Sequence, residues 1–158
     1  MGTYPVIHIS ETIEGCKGID TFPIIVKSNK NAQFSTLKNE YCFNESPIIL
    51  NALDTSGIFY GVGIVKNQFN AIDTGTFTIS HIVNDVVCPD TQYKSIRIKP
   101  IPYFNLRDTN ICNSGTVTYT VNEGNSVVWE NGSTNRTRSF NQTGKYSATS
   151  YLDGCSYN

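Results

Sequence analysis

Gly75-Thr76-Phe77-Thr78-Ile79-Ser80-His81-Ile82-Val83 alternates along its length, with Phe77 and Ile79 on one face and Thr76, Thr78 and Ser80 on the other. A period of two is that of a half-buried β-strand. Its β-branched and aromatic side chains suit a pleated surface. Downstream, Cys88-Pro89-Asp90 reads as a turn, and Tyr93-Lys94-Ser95-Ile96-Arg97-Ile98-Lys99 alternates again. Upstream, Pro47-Ile48-Ile49-Leu50 reads as a short buried strand. A turn at Asp54-Thr55-Ser56-Gly57 leads into Ile58-Phe59-Tyr60. Gly61-Val62-Gly63 is a corner where missing side chains permit a bulge. Asn67 to Asn70 is one more short strand. No stretch of ten or more residues repeats with a helical period. The expectation is an all-β chain.

The same landmarks recur. Gly2-Thr3-Tyr4-Pro5-Val6 closes at Gly15-Cys16, Gly75-Thr76-Phe77-Thr78-Ile79 closes at Cys88, and Gly144-Lys145-Tyr146-Ser147-Ala148 closes at Gly154-Cys155. The closing cysteines are 72 and 67 residues apart. Cys42 precedes Phe59, and Cys112 precedes Trp129, by the same 17 residues. Phe69 and Phe140 then follow in order. A period near 70 suits a string of compact sandwiches. Residues 1–30 read as the last strands of one module. Residues 31–100 read as a complete module, and 101–158 as a module lacking its last strand. Met1-Gly2 leads at once into a strand, as if cut from within a longer protein. Phe59, Phe69, Phe77, Trp129, Phe140 and Tyr146 are the expected core aromatics, because shared offsets point to shared scaffolding. In the third module, Thr116 to Val121 alternates, and Glu130-Asn131-Gly132-Ser133 is a hairpin signal. The junction at Lys27-Ser28-Asn29-Lys30-Asn31 reads as flexible. The one at Lys99-Pro100-Ile101-Pro102 reads as stiff and extended.

Composition narrows the function. The 158 residues carry a net charge of -1, with 16 % charged side chains. No field attracts nucleic acid or anionic lipid, and no apolar run approaches the ~20 residues that span a bilayer. The five cysteines, Cys16, Cys42, Cys88, Cys112 and Cys155, include no Cys-x-x-Cys pair, and His8 and His81 are the only histidines. A metal site is therefore not expected, and disulfides formed in an oxidising compartment are. Intra-module pairing joins Cys42 to Cys88 and Cys112 to Cys155, leaving Cys16 unpaired. Each loop of this size would stabilise by about 4 kcal/mol in the chain-entropy model.

Together these features resemble the immunoglobulin-like repeats of very large Bacteroidetes surface proteins, among them gliding-motility adhesins and other type IX secretion cargo. Phe34-Ser35-Thr36-Leu37 and Tyr41-Cys42 match the opening of such a module. Gly57, Phe59, Gly61 and Gly63 match its corner, and Phe69, Gly75-Thr76-Phe77 and Cys88 its end. Val87 stands where the family usually has Gly. In the third module, Trp129, Asn131, Gly132, Ser133 and Thr134 match a related subtype, with Val127 in place of an aromatic. The resemblance covers nearly the whole chain. It implies tandem small immunoglobulin-like β-sandwich modules in an extracellular stalk or adhesin, with no catalytic residue, no cofactor and no named ligand.

No nucleophile elbow, His-Glu helix motif or phosphate loop is present. His8 and His81 share an offset with Ser150, which points to a strand-surface or edge position. Asn131, Asn135 and Asn141 begin Asn-x-Ser/Thr triplets, as Asn44 does before Pro47, and composition accounts for them. Arg136 and Arg138 read as a solvated edge that discourages strand pairing. The leading expectation is a non-catalytic structural or adhesive repeat segment at the cell surface. Its partners are neighbouring modules and an unspecified surface, glycan or protein ligand. The alternatives are a carbohydrate- or protein-binding accessory module of a secreted enzyme, with Tyr60, Tyr103, Phe104 and Tyr151 as candidate contacts, and a eukaryotic receptor fragment. The cut ends further suggest self-association, the N-terminal ribbon of one chain completing the C-terminal module of another.

Overall fold

The computed structural model describes residues 1–36, 38–112 and 115–158. Leu37 of the opening motif lies outside them. Apart from one turn of 3-10 helix, every regular element among the described residues is a strand. β1 (Gly2–Glu11) and β2 (Lys17–Val26) form a ten-residue antiparallel hairpin. Then come β3 (Phe34–Ser35), β4 (Glu40–Cys42), the 3-10 turn Phe43–Glu45, β5 (Ile48–Ile49), β6 (Asn51–Ala52) and β7 (Ile58–Tyr60). β8 (Ile64–Val65), β9 (Gln68–Phe69), β10 (Gly75–Val83) and β11 (Asp90–Lys99) follow. The remaining strands are β12 (Val117–Thr120), β13 (Ser126–Trp129), β14 (Thr137–Phe140), β15 (Ala148–Leu152) and β16 (Cys155–Tyr157).

Two hydrophobic cores result. β4-β11-β10-β7, β5-β9-β8 and β3-β6 are separate sheets. Their inward side chains meet in one core of Phe34, Tyr41, Ile48, Leu50, Phe69, Ile79, Ile96 and Ile98. Period-two alternation puts Ile79 and Val83 of β10 and Ile96 and Ile98 of β11 on its inner face. The corner before β8 depends on Gly63, whose φ is +80 and whose missing Cβ would lie 2.3 Å from the Asn70 carbonyl oxygen. The second core, of Val121, Val127, Trp129, Phe140 and Ala148, lies between β12-β14 and β13-β15-β16.

Several expectations need correction. Phe69, Trp129 and Phe140 are buried, and Phe59 and Phe77 pack half-buried against the first core. Tyr146 is instead 37 % exposed. β15 starts only at Ala148, so the alternation does not reach back to Tyr146, which lies on Phe140 with ring centroids 4.1 Å apart. Phe59 stands opposite His81, whereas Trp129 stands opposite Ala148, and Val127 is the residue facing Ser150. Trp129 therefore sits two residues further along its strand than Phe59 does. The Asn131-Gly132 turn forms, with Trp129 N–H donating to the Ser133 carbonyl at 2.9 Å. It makes no hairpin, because β13 pairs with β15 and β14 with β12. Residues 101–158, expected to lack a last strand, end in β16, which pairs antiparallel with β15 as β11 pairs with β10.

Candidate functional site

The two cores are joined by a disulfide flanked by polar contacts. β4 runs parallel to the end of β11, with Cys42 in register with Lys99. Glu40, in the same short strand, lies 3.6 Å from both Arg97 and Lys99. Cys42 is bonded to Cys155, 113 residues away, with the Cα atoms 5.6 Å apart. Polar contacts flank the bond. Lys99 Nζ donates to the Asp153 carbonyl at 2.9 Å, and Asn44 Nδ2 to the Ser156 carbonyl at 3.2 Å. Glu45 accepts from Lys38 Nζ and, at 2.6 Å, from the Cys42 amide, and these bonds hold its carboxyl below the usual range. Beyond the junction, Pro102 is buried, and Tyr103 and Phe104 lie 4.8 and 5.6 Å from the Tyr157 ring.

This pairing replaces the intra-module one. β11 carries ten residues, about 30 Å at ~3.3 Å each. Cys42 is beside its last residue, and Cys88 precedes its first. A disulfide needs Cα atoms within about 7 Å, so Cys42 and Cys88 stand at opposite ends of the hairpin and cannot meet. Cys155 opens β16, next to the junction. Cys112 lies in the irregular stretch before β12, a strand of the other sheet. Cys16, Cys88 and Cys112 are free thiols.

His81 is another correction. It is fully buried, since it continues the face of Phe77 and Ile79 by period two. Its ring stacks at 4.4 Å on Phe59, and Nδ1 donates to the Ala32 carbonyl at 2.9 Å, the carbonyl fixing the tautomer. Among the described residues Nε2 has no partner; it lies beside Gly57, and His81 lines a cleft of ≈ 490 Å³ with Leu50, Thr55, Phe59 and Lys66. Ser150, at the matching offset, is likewise buried, its hydroxyl donating to the Glu123 carbonyl. His8 is exposed on the N-terminal hairpin.

The two arginines are not a solvated edge. Arg136 donates to four carbonyls, those of Val121 and Asn122 (3.2 and 3.1 Å) and of Gly124 and Asn125 (2.8 and 3.0 Å). Arg138 lies over the rings of Phe140, Tyr146 and Trp129 at 4.7, 5.5 and 5.6 Å and pairs with Glu130 at 2.7 Å. Basic residues among alternating polar ones gave no sign of these roles. A second cleft, of ≈ 690 Å³, opens between Leu106, Tyr119, Phe140 and Tyr146. Of the candidate glycan contacts, Tyr103 and Phe104 meet at Tyr157, while Tyr60 and Tyr151 stand on strands of different sheets. They form no row.

Among the described residues, no group of three or more His, Cys, Asp or Glu side chains is placed to hold a metal ion. No helix there is long and apolar enough to cross a membrane. No protein-family model, curated protein or solved structure matches this chain.

Proposed function

We propose that the chain is a non-catalytic, load-bearing or adhesive repeat segment of a secreted or cell-surface protein, built from small immunoglobulin-like modules. The observation that carries this reading is the Cys42–Cys155 bond, which links a strand beside one core covalently to a strand beside the other. A disulfide of this kind belongs to an oxidising compartment. Each core alone is small, and small cores are marginal on burial. A link across both suits a chain that must stay folded while pulled from its ends. The order of the aromatic, glycine and cysteine landmarks supports the surface-protein resemblance.

Single-molecule stretching from the two termini tests the reading. With the bond closed, the 113-residue separation is sheltered, and only the flanking residues extend. Reduction should add about 380 Å of contour, at ~3.4 Å per residue. Equal extension before and after reduction would contradict it. Saturable binding of one glycan in a glycan screen would favour an adhesive or accessory-module role over a purely load-bearing one. Non-reducing peptide mapping of the protein from its source should recover Cys42 joined to Cys155. A fully reduced pair there would remove the extracellular assignment.

A further inference from the structure

The N-terminal hairpin is a second copy of β10–β11. Gly2 faces Val26 as Gly75 faces Ile98, and Tyr4 faces Ile24 as Phe77 faces Ile96. The matching runs through the histidines, His8 standing where His81 stands. In β10–β11 the inner face, Phe77, Ile79, His81, Ile96 and Ile98, is buried or half-buried. In β1–β2 the same face is Tyr4, Val6, His8, Ile24 and Val26, and all five are exposed. Monomeric proteins rarely leave a contiguous apolar surface of this kind open. Among the described residues both outer edges of the hairpin are also unpaired, since its sheet contains two strands.

What covers the matching hairpin is visible in the same molecule. β7 pairs antiparallel along Ser80–Ile82, and β4 pairs parallel along Arg97–Lys99. Phe34, Leu50 and Phe69 fill the core beneath, and the Ala32 carbonyl accepts the hydrogen bond of His81 Nδ1. Every one of these groups comes from residues 32–69. On the N-terminal hairpin the equivalent edges are residues 7–9 of β1 and residues 25–27, the last two of β2 and the one after it. Pro5 and Pro23, which have no N–H to donate, face each other outside both stretches. The edges that need donors therefore keep them.

We propose that β1–β2 is a docking hairpin whose occupant is a polypeptide half-module built like residues 32–71. This partner would lay an antiparallel strand along residues 7–9, a parallel strand along 25–27, an apolar face over Tyr4, Val6, Ile24 and Val26, and a carbonyl against His8. The mode is β-augmentation combined with core completion. The C-terminal module of a second copy is the poorer acceptor, because β16 is already in place and Asn44 bonds its Ser156 carbonyl. The inference stands on the internal repeat and does not depend on the load-bearing reading.

Grafting supplies the partner covalently. A duplicate of residues 31–74 is joined directly before Gly2 of the full chain, so that a threonine precedes Gly2 as Thr74 precedes Gly75. Amide exchange is then compared with the ungrafted chain. Amides of residues 7–9 and 25–27 should slow by more than about 100-fold in the graft. Val6→Asp, on the inner face, should abolish that protection. Ile7→Asp, on the outer face, should keep it. Unchanged exchange in the graft overturns the proposal, as does equal loss in the two variants. Protection already present in the ungrafted chain and growing with its concentration also overturns it, and makes a second copy of the chain the occupant.

Discussion

Arg136, just before β14, and Arg138, within it, stand two residues apart and do unlike things. Arg136 uses a planar fork of donors to hold the loop Val121–Asn125 by its carbonyls, a task its geometry suits and an ammonium's does not. Charge-assisted bonds are the stronger kind. Arg136→Ala should therefore destabilise the C-terminal core by about 2–3 kcal/mol, and Arg136→Lys should recover only part. The fluorescence of Trp129, the chain's single tryptophan, reads this directly in a urea titration. Gly57 is as specific in the first core. A Cβ there would lie 2.3 Å from His81 Nε2 and 2.8 Å from Val83 Cγ2, both fully buried side chains. Gly57→Ala should cost about 1–3 kcal/mol, the usual range for overpacking, and a variant as stable as the parent in urea would show that His81 can move aside. Glu45 carries a pH dependence. Its bonds to Lys38 and the Cys42 amide lower its pKa from 4.5, so the folded state favours the carboxylate. Their contribution is whole above the unfolded value and fades as pH falls through the lower, folded one. The Lys38–Glu45 pair is largely exposed, so the effect is small. Parent and Glu45→Gln should differ in urea midpoint at pH 7 and converge on acidification below 4.5.

At the scale of elements, long alternating strands were the legible part. β10 and β11 lie where period two puts them, because a nine- or ten-residue alternation has one way to bury its apolar face. The two-residue strands β3, β5, β6, β8 and β9 carry too few side chains for a period to register. His81 was misread for a different reason. Its position obeys the alternation, but its polarity suggests solvent, and only the Ala32 carbonyl from a distant segment makes burial tolerable. Trp129 and Phe59 show the limit of counting offsets. Both follow a cysteine by 17 residues, yet strand register places them two positions apart. The disulfides failed on the same ground. Spacing along the chain said Cys42 and Cys88 could close a loop, while the ten-residue length of β11 holds them at its two ends. Register, unlike spacing, is a long-range property, and it is set by which faces find a core.

For the whole molecule, the Cys42–Cys155 bond links two small cores and closes a loop with a 113-residue separation. In the chain-entropy model a loop of about 100 residues stabilises by about 4.7 kcal/mol, by restricting the unfolded chain. That restriction reaches both cores, since the second core and all of the first except Phe34 and Tyr41 lie between the two cysteines. Without it, what couples them is the Pro100–Phe104 connection and the Lys99 and Asn44 bonds. These are few, and the hydrogen bonds are exposed. The oxidised chain should therefore unfold in one transition, in which Trp129 fluorescence and amide exchange at Ile79 and Ile98 report the same urea midpoint. In a Cys42→Ser, Cys155→Ser double variant, both midpoints should fall and should separate, the C-terminal core reported by Trp129 losing its link to the first. Coincident, unshifted midpoints in that variant would mean that packing at the junction, rather than the covalent tie, makes the two modules one unit.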